Sequence, residues 1–196
     1  MKIAAIVLAA GRSSRFDGGN KLLADFQGRP VIHHVMTAVA ASPVDEIILV
    51  TAAFGGKIFA SAGQGRWRTI VNPDAEDGIS SSIQYGLSHL EGDIDGALII
   101  LADMPRVSTA MIERLCTTFL ARQGHAIVFP QTADGQQGNP VLWPKPLFAE
   151  LMALTGDVGG KAILARYTHL HCPVPVEDNA VLYDIDTKDD LTGTPS

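Results

Sequence analysis

The stretch I-A-A-I-V-L-A-A-G-R-S-S-R-F-D-G-G-N-K-L-L, residues 3–23, decides how the chain is read. It opens with an unbroken apolar run, Ile3 to Ala10, which fits a core strand buried on both faces, as in a parallel sheet covered by helices. The run is too short to span a bilayer, and it ends in Gly-Arg rather than in a signal-peptide cleavage pattern. Small residues Ala9, Ala10 and Gly11 then let the backbone approach a ligand closely, and peptide N–H groups in such a turn can wrap an anion. Arg12, Arg15 and Lys21 add mobile positive charge within the same loop, which is triphosphate chemistry in outline. The spacing excludes two commoner phosphate loops. Lys21 lacks the preceding G-x-x-x-x-G and the following Ser or Thr, and Gly11, Gly18 and Gly19 do not fit G-x-G-x-x-G.

Outward from this loop, composition narrows the possibilities. With 196 residues and 46% hydrophobic content the chain can bury a full core, and a single domain over 1–196 is expected. Its two cysteines, Cys116 and Cys172, offer neither a disulfide framework nor a Cys-x-x-Cys zinc site, which fits a reducing cytoplasm. A net charge of -6 argues against a general nucleic-acid binder, which needs a basic surface to displace counterions. The first thirty residues run the other way. There Lys2, Arg12, Arg15, Lys21 and Arg29 stand against Asp17 and Asp25, as suits one end of an acidic protein that handles a compact polyanion.

Further along, short runs rich in Ile, Val and Leu alternate with helix-period segments, the pattern of β-α units around a largely parallel sheet. Strands are expected at Ile3 to Leu8, Glu46 to Thr51, Thr69 to Val71, Ala97 to Leu101 and Ala126 to Phe129. Helices are expected at Val31 to Ala41, Lys57 to Ala62, Ser80 to Leu90 and Ser108 to Arg122, with Ser108 as an N-cap. After Pro130 the pattern breaks into Gly-rich and Pro-rich stretches with helices near Leu147 to Leu154, Gly160 to Tyr167 and Lys188 to Leu191. This second part, about 131–196, reads as a lid or acceptor-binding extension to a nucleotide-binding half of about 1–130.

Carboxylates supply the next clue. Asp103 directly follows the apolar run Ala97 to Leu101, and in parallel α/β sheets ligands gather outside the carboxyl ends of strands. It is therefore placed for Mg²⁺, a hard ion that prefers carboxylate and phosphate oxygens. Near the end of the chain, Asp184-Ile185-Asp186 puts two carboxylates on one face of an extended segment, as two metal ligands or as a ligand and its orienter. Ser80, Ser81 and Ser82 have no paired His and no G-x-S-x-G elbow, so no covalent nucleophile is in view. In N-P-x-x-x-x-G-x-x-S-S, from Asn72 through Gly78 to Ser82, the serines either cap a helix or bond a base and ribose. His33, His34, His125, His169 and His171 are scattered and read as structural or surface residues.

The pattern L-A-x-G-x-x-x-R followed by a Lys, with D-M-P at Asp103 and D-I-D-T at Asp184 to Thr187, resembles the nucleotidyltransferases that act on sugar phosphates and cofactors. The resemblance implies a Rossmann-like nucleotide-diphospho-sugar transferase fold, three α/β/α layers around a mostly parallel sheet. It implies that Leu8, Ala9, Ala10, Gly11, Arg12, Arg15 and Lys21 hold the triphosphate, and that Gly78 and Ser82 line the base pocket. Asp103 and Asp186 would share Mg²⁺, and Arg15, Lys21 and Asp103 would be the catalytic residues. An acceptor phosphate, already anionic, would attack the α-phosphorus without a strong general base.

L-A-A-G is similar to the loop of cytidylyltransferases of the molybdenum cofactor and isoprenoid pathways, where guanylyltransferases carry L-A-G-G. The Ala10 methyl would narrow the pocket toward a pyrimidine and CTP. Gly138-Asn139-Pro140 and Gly156-Asp157-x-Gly159-Gly160-Lys161 resemble acceptor segments of molybdenum cofactor cytidylyltransferases. They implicate Asn139, Gly160 and Lys161 with molybdopterin, whose phosphate a helix-opening anion site would suit. Gln131 to Gln137 has no counterpart there, and Gly160-Lys161 stands where Ala and Arg are usual. A recipient molybdoenzyme is the expected protein partner, with neither nucleic acid nor membrane. The alternatives are GMP transfer to the same cofactor, CMP transfer to a methylerythritol phosphate, a sugar-phosphate nucleotidyltransferase, or a non-catalytic nucleotide-binding cofactor chaperone.

Overall fold

The computed structural model describes residues 1–192 apart from positions 12, 14, 15, 18 and 54. In chain order the strands and helices are β1 (Ile3–Ala9), β2 (Asp25–Phe26), β3 (Arg29–Pro30), α1 (Val31–Ala40), β4 (Glu46–Ala52), α2 (Gly56–Ser61), β5 (Arg68–Asn72), α3 (Ile79–Ser88), β6 (Gly96–Leu101), α4 (Thr109–Ala121), β7 (Ile127–Gln131), β8 (Val141–Pro144), α5 (Phe148–Met152), α6 (Lys161–Arg166) and β9 (His171–Pro175). Seven of the strands form one sheet in the order β5-β4-β1-β6-β8-β7-β9. β1, β4, β5 and β6 run parallel, β8 runs against both its neighbours, and β9 is parallel to β7.

All seven residues of β1 are buried, as a central strand requires. Their side chains alternate between two apolar layers. Ile3, Ala5, Val7 and Ala9 face α1, α2 and α4, whereas Ile6 and Leu8 face α3, α5 and α6. The result is an α/β/α sandwich of the Rossmann-like class. The chain leaves β1 for β4 on one side and later returns to β6 on the other, so the carboxyl ends of β1 and β6 form a topological switch point, where such sheets open a crevice. Leu8 pairs with Leu101 in register, and the loops that follow both strands leave side by side.

The expected strands and helices of the first 130 residues are present within a few residues of their bounds, and Ser108 Oγ accepts the Met111 N–H at 3.2 Å as an N-cap. The part read as a lid differs. β8 lies inside the sheet between β6 and β7, and β9 forms its edge. Three residues bracketed by Pro140 and Pro144 carry too short an apolar run to register as a strand. β9 contains Pro173 and Pro175, which an edge strand tolerates because one row of its N–H groups needs no partner. The small β2-β3 hairpin, turning at Gln27-Gly28 with φ of 54° and 84°, also escapes the periodicity. No helix among the described residues is long and apolar enough to cross a membrane.

Candidate active site

At the end of β1, Leu8, Ala10 and Gly11 line a cavity of about 340 Å³ together with Gly78, Ser82 and Asp103. Six residues that sequence patterns assign to the nucleotide thus share one wall system. Ala9 is buried in the core instead, and Arg12 and Arg15 lie outside the described residues. Gly78, at the N-cap of α3, has φ 97° and ψ -178°, a conformation open to glycine, and a Cβ there would stand 2.5 Å from the backbone of Gly156. Ser80 N–H donates to Gly156 O at 3.3 Å, so the loop before α6 is docked on the first turn of α3. The serine triplet does not cap α3 with a side chain. Ser81 Oγ donates to Gly78 O at 2.9 Å, while Ser82 lines the cavity and accepts from Asn72 Nδ2 at 3.2 Å.

Lys21 opens a short 3-10 turn that Asn20 caps by accepting the Leu22 N–H at 2.9 Å. The Lys21 N–H donates to Ser13 Oγ at 3.2 Å, which fixes its backbone. Its ammonium lies 2.6 Å from Asp103 Oδ2 and 2.9 Å from Asp186 Oδ1. Burial works against this charge, but the attraction and hydrogen bonds of Asp103 and Asp186 outweigh it and raise the Lys21 pKa above its ordinary value.

Asp103 sits one residue past the last β1-β6 contact, where Ala102 N–H donates to Leu8 O at 3.1 Å. Ile185 N–H donates to Asp103 O at 2.9 Å, and this bond brings the C-terminal segment to the strand end. Ile185 is fully buried, so its neighbours Asp184 and Asp186 both turn toward Asp103. Asp190 locks the segment by accepting the Asp186 N–H at 3.0 Å, the Thr187 N–H at 2.6 Å and the Thr187 hydroxyl at 2.9 Å. Hydrogen bonds from Thr187 and Asp186 hold the Asp190 carboxyl below the usual range. The Arg106 guanidinium, 3.6 Å over the Tyr183 ring, braces the same segment from the Asp103 loop.

One carboxylate oxygen from each of Asp103, Asp184 and Asp186 falls within 4.8 Å of the others. Burial, followed by the nearby Asp103 and Asp186 charges, raises the Asp184 pKa above the ordinary carboxylate value. Asp103 Oδ1 is buried and has no hydrogen-bond partner among the described residues. A buried oxygen without a donor is costly, and three hard oxygen donors around it suit a divalent cation. The pattern of sequence had paired Asp103 with Asp186, and Asp184 joins them. Among the described residues no histidine belongs to the cluster. His34 Nε2 lies 2.7 Å from Phe26 O and His171 Nε2 3.1 Å from Leu164 O, as structural residues would.

Beside the carboxylates a larger cavity, of about 760 Å³, brings together the acceptor candidates Asn139, Gly160 and Lys161 with Asp184 and the side chain of Trp143. Gly160 packs on that ring, where an added Cβ would come within 2.3 Å of it. Trp143 escaped sequence reading because β8 did; Asp157 was read only as part of the Gly156 to Lys161 segment, and its place at the junction of both cavities is a tertiary fact. Ile79, Leu101 and Asp157 line both spaces, so the smaller cavity adjoins a larger, more apolar one, with Asp103 in the wall of the first and Asp184 in the wall of the second.

Residues 5–171 match the MobA-like NTP transferase domain. The chain is 27% identical to the purine catabolism protein PucB of Bacillus subtilis over 194 residues, covering 94% of this chain and 92% of that one. It is 27% identical over 164 residues to the molybdenum cofactor guanylyltransferase of Vibrio parahaemolyticus, covering 83% of this chain and 78% of that one. Among solved structures, Rv0371c of Mycobacterium tuberculosis superposes with a TM-score of 0.85 at 26% identity, covering 98% of this chain and 96% of that one. Its manganese complex superposes with a TM-score of 0.79 at 24% identity, covering 98% and 97%. A loop of small residues at the switch point, an acidic cluster at the adjoining strand end and this match over most of the chain agree: the protein belongs to the MobA-like NTP transferase family and is a nucleotidyltransferase.

Proposed function

We propose that the protein transfers CMP from CTP to the molybdopterin-bound molybdenum cofactor and releases pyrophosphate. The observation that carries this reading is the junction of the two cavities, Asp103 in the wall of one and Asp184 in the wall of the other. A nucleotide in the smaller space and an acceptor in the larger would present their phosphates to each other at that point. The Ala10 methyl and the modest volume of about 340 Å³ favour a pyrimidine. The larger space, walled by Trp143, Ile83, Ile99 and Val141, suits a flat heterocycle better than a fully polar sugar, and Asn139 and Lys161 offer donors for its polar edge and phosphate.

Asp103, Asp184 and Asp186 would hold a divalent cation, Mg²⁺ in our reading, which when bound supplies positive charge to the triphosphate and its departing pyrophosphate. The chain's own groups do the rest. Backbone N–H groups around Gly11 bind phosphate oxygens, Lys21 neutralises leaving-group charge, and Gly78 with Ser82 orients the nucleoside. Arg15 is assigned the same neutralising role by motif alone. The acceptor phosphate is ionised at neutral pH, so no general base is required.

A second reading, GMP transfer to the same cofactor, is favoured by Glu76, which lines the nucleotide cavity. A carboxylate there can accept from both the ring N–H and the amino group of guanine, whereas cytosine offers it one amino group. Pyrophosphate release with Mg²⁺ and molybdenum cofactor, comparing CTP, GTP, ATP and UTP, separates the two. CTP-selective release that Asp103→Ala abolishes is the expected outcome. GTP selectivity would overturn the base assignment, and no release with any triphosphate would favour a non-catalytic, nucleotide-binding role.

We further place the protein in the cytoplasm with a molybdoenzyme as recipient of its product. Cys116 and Cys172 are free and buried, and burial pushes the Cys116 thiol up to about 11, both suited to a reducing compartment. Absence of any complex with candidate apo-enzymes in a pull-down would count against the partner.

A further inference from the structure

Transfer chemistry does not by itself require Lys21 to stand where it does. The ammonium is absent from the walls of both cavities and is bonded instead to two carboxylates, 2.6 Å from Asp103 Oδ2 and 2.9 Å from Asp186 Oδ1. Its side chain is only 14% exposed, so this contact is sheltered from the solvent that would otherwise weaken it. A dication held by the same cluster would sit within a few ångströms of the ammonium, where like charges repel strongly in partly buried surroundings. The Lys21 backbone is pinned by Ser13 and by the Asn20-capped turn, but the four-carbon stem is flexible. The ammonium can therefore move while the loop stays in place. The loop that carries it also supplies the wall of the nucleotide cavity, so the partner nearest to hand is a polyphosphate.

We propose that Lys21 is a resident counter-cation of the carboxylate cluster, and that nucleoside triphosphate and divalent metal consequently bind as a coupled pair. The polyphosphate draws the ammonium off Asp103 and Asp186 as the metal takes those oxygens. Either ligand alone works against Lys21: the metal must displace it, and the polyphosphate must pull it from two carboxylates. By linkage, each ligand strengthens the other by the same factor. The proposal rests on Asp103, Asp184 and Asp186 being a divalent-cation site.

The test is Mn²⁺ binding to the full chain, read from the electron paramagnetic resonance signal of free Mn²⁺, in the absence of nucleotide. Lys21→Gln and Lys21→Met are expected to bind Mn²⁺ about tenfold more tightly than wild type, and Lys21→Arg, which keeps the charge, to stay near it. Mn²⁺ should also raise the melting temperature of Lys21→Gln and Lys21→Met more than that of wild type. With a non-hydrolysable triphosphate, the gain in nucleotide affinity that Mn²⁺ confers should shrink in Lys21→Gln. Asp103→Ala locates the ion. Mn²⁺ binding that Asp103→Ala weakens but the two neutral Lys21 variants do not tighten overturns the proposal alone. Mn²⁺ binding indifferent to Asp103→Ala overturns the cation-site reading and the proposal with it.

Discussion

Asp184 stands two residues from Asp186 on an extended segment whose central side chain, Ile185, is fully buried. Alternation along such a segment forces both carboxylates to one side, and Asp103 lies there. If all three share a cation, Asp184→Asn will raise the Mg²⁺ concentration needed for half-maximal turnover by about tenfold while leaving turnover at saturating Mg²⁺ much closer to wild type. An unchanged metal requirement would exclude Asp184 from the ligand set. Gly78 poses a different constraint, since φ 97° with ψ -178° is a conformation that L side chains strongly avoid. Gly78→Ala should lower stability by about 1–3 kcal/mol in urea unfolding and raise KM for the triphosphate, because the Cβ would push the Gly156 loop from the nucleotide cavity. Wild-type stability and KM together would refute that account.

Residues of this kind differ in how far sequence exposes them. Leu8, Ala10, Gly11 and Asp103 could be picked out because each sits at or just past a strand end, where short-range pattern fixes position, whereas Gly78 and Ser82 were singled out by the family resemblance. Asp184 was visible as half of an Asp-Ile-Asp pair. The alternation alone does not say that a third carboxylate waits opposite. Trp143 was illegible because its wall exists only once β8 has entered the sheet, and Asp157 was legible as part of a motif segment but not as a wall of both cavities, which depends on the docking of the Gly156 loop on α3.

At the scale of elements, the C-terminus of α1 shows how a surface residue can secure a turn. Arg66 donates to Ala40 O at 3.1 Å, Val44 O at 2.7 Å and Ser42 O at 2.5 Å, three carbonyls between α1 and β4. Carbonyls at a helix end lack intrahelical donors, and a cation there also complements the helix dipole. Arg66→Ala should therefore cost about 1–3 kcal/mol in urea unfolding, with Arg66→Lys recovering part of it because an ammonium cannot fork across three acceptors. A loss within error of zero would mean that water replaces the guanidinium without penalty. The parallel β-α units were legible because their apolar runs are long and their helices periodic. β8 and the β2-β3 hairpin were not, since four residues or two offer no period to read.

For the molecule as a whole, the insertion of β8 makes the first 130 residues dependent on the C-terminal part of the chain. β6 and β7 do not pair with each other, because β8 bridges them, and Leu142 in β8 is fully buried. A fragment comprising residues 1–130 would leave two apolar strands with open edges and should be insoluble or lack a cooperative melt. A soluble fragment with a sharp thermal transition would show that the strands find another arrangement. Within the full chain, Leu142→Ala should cost about 2–5 kcal/mol, because the cavity it leaves lies where the two parts of the sheet join.

The walls common to the two cavities, Ile79, Leu101 and Asp157, have one more consequence. Under the proposed reaction, each substrate fills one chamber, but the dinucleotide-like product fills both, and its second half binds at the high local concentration imposed by the tether to the first. The enzyme would then grip what it has made more firmly than what it was given. Departure rather than bond formation would set the pace, so rapid mixing should reveal one quick equivalent of pyrophosphate per active site before a slower steady rate. Linear release from the first instant would argue against such retention. Under the same reading, a firm hold would also be a form of custody, keeping the product in its double chamber until another molecule came to collect it.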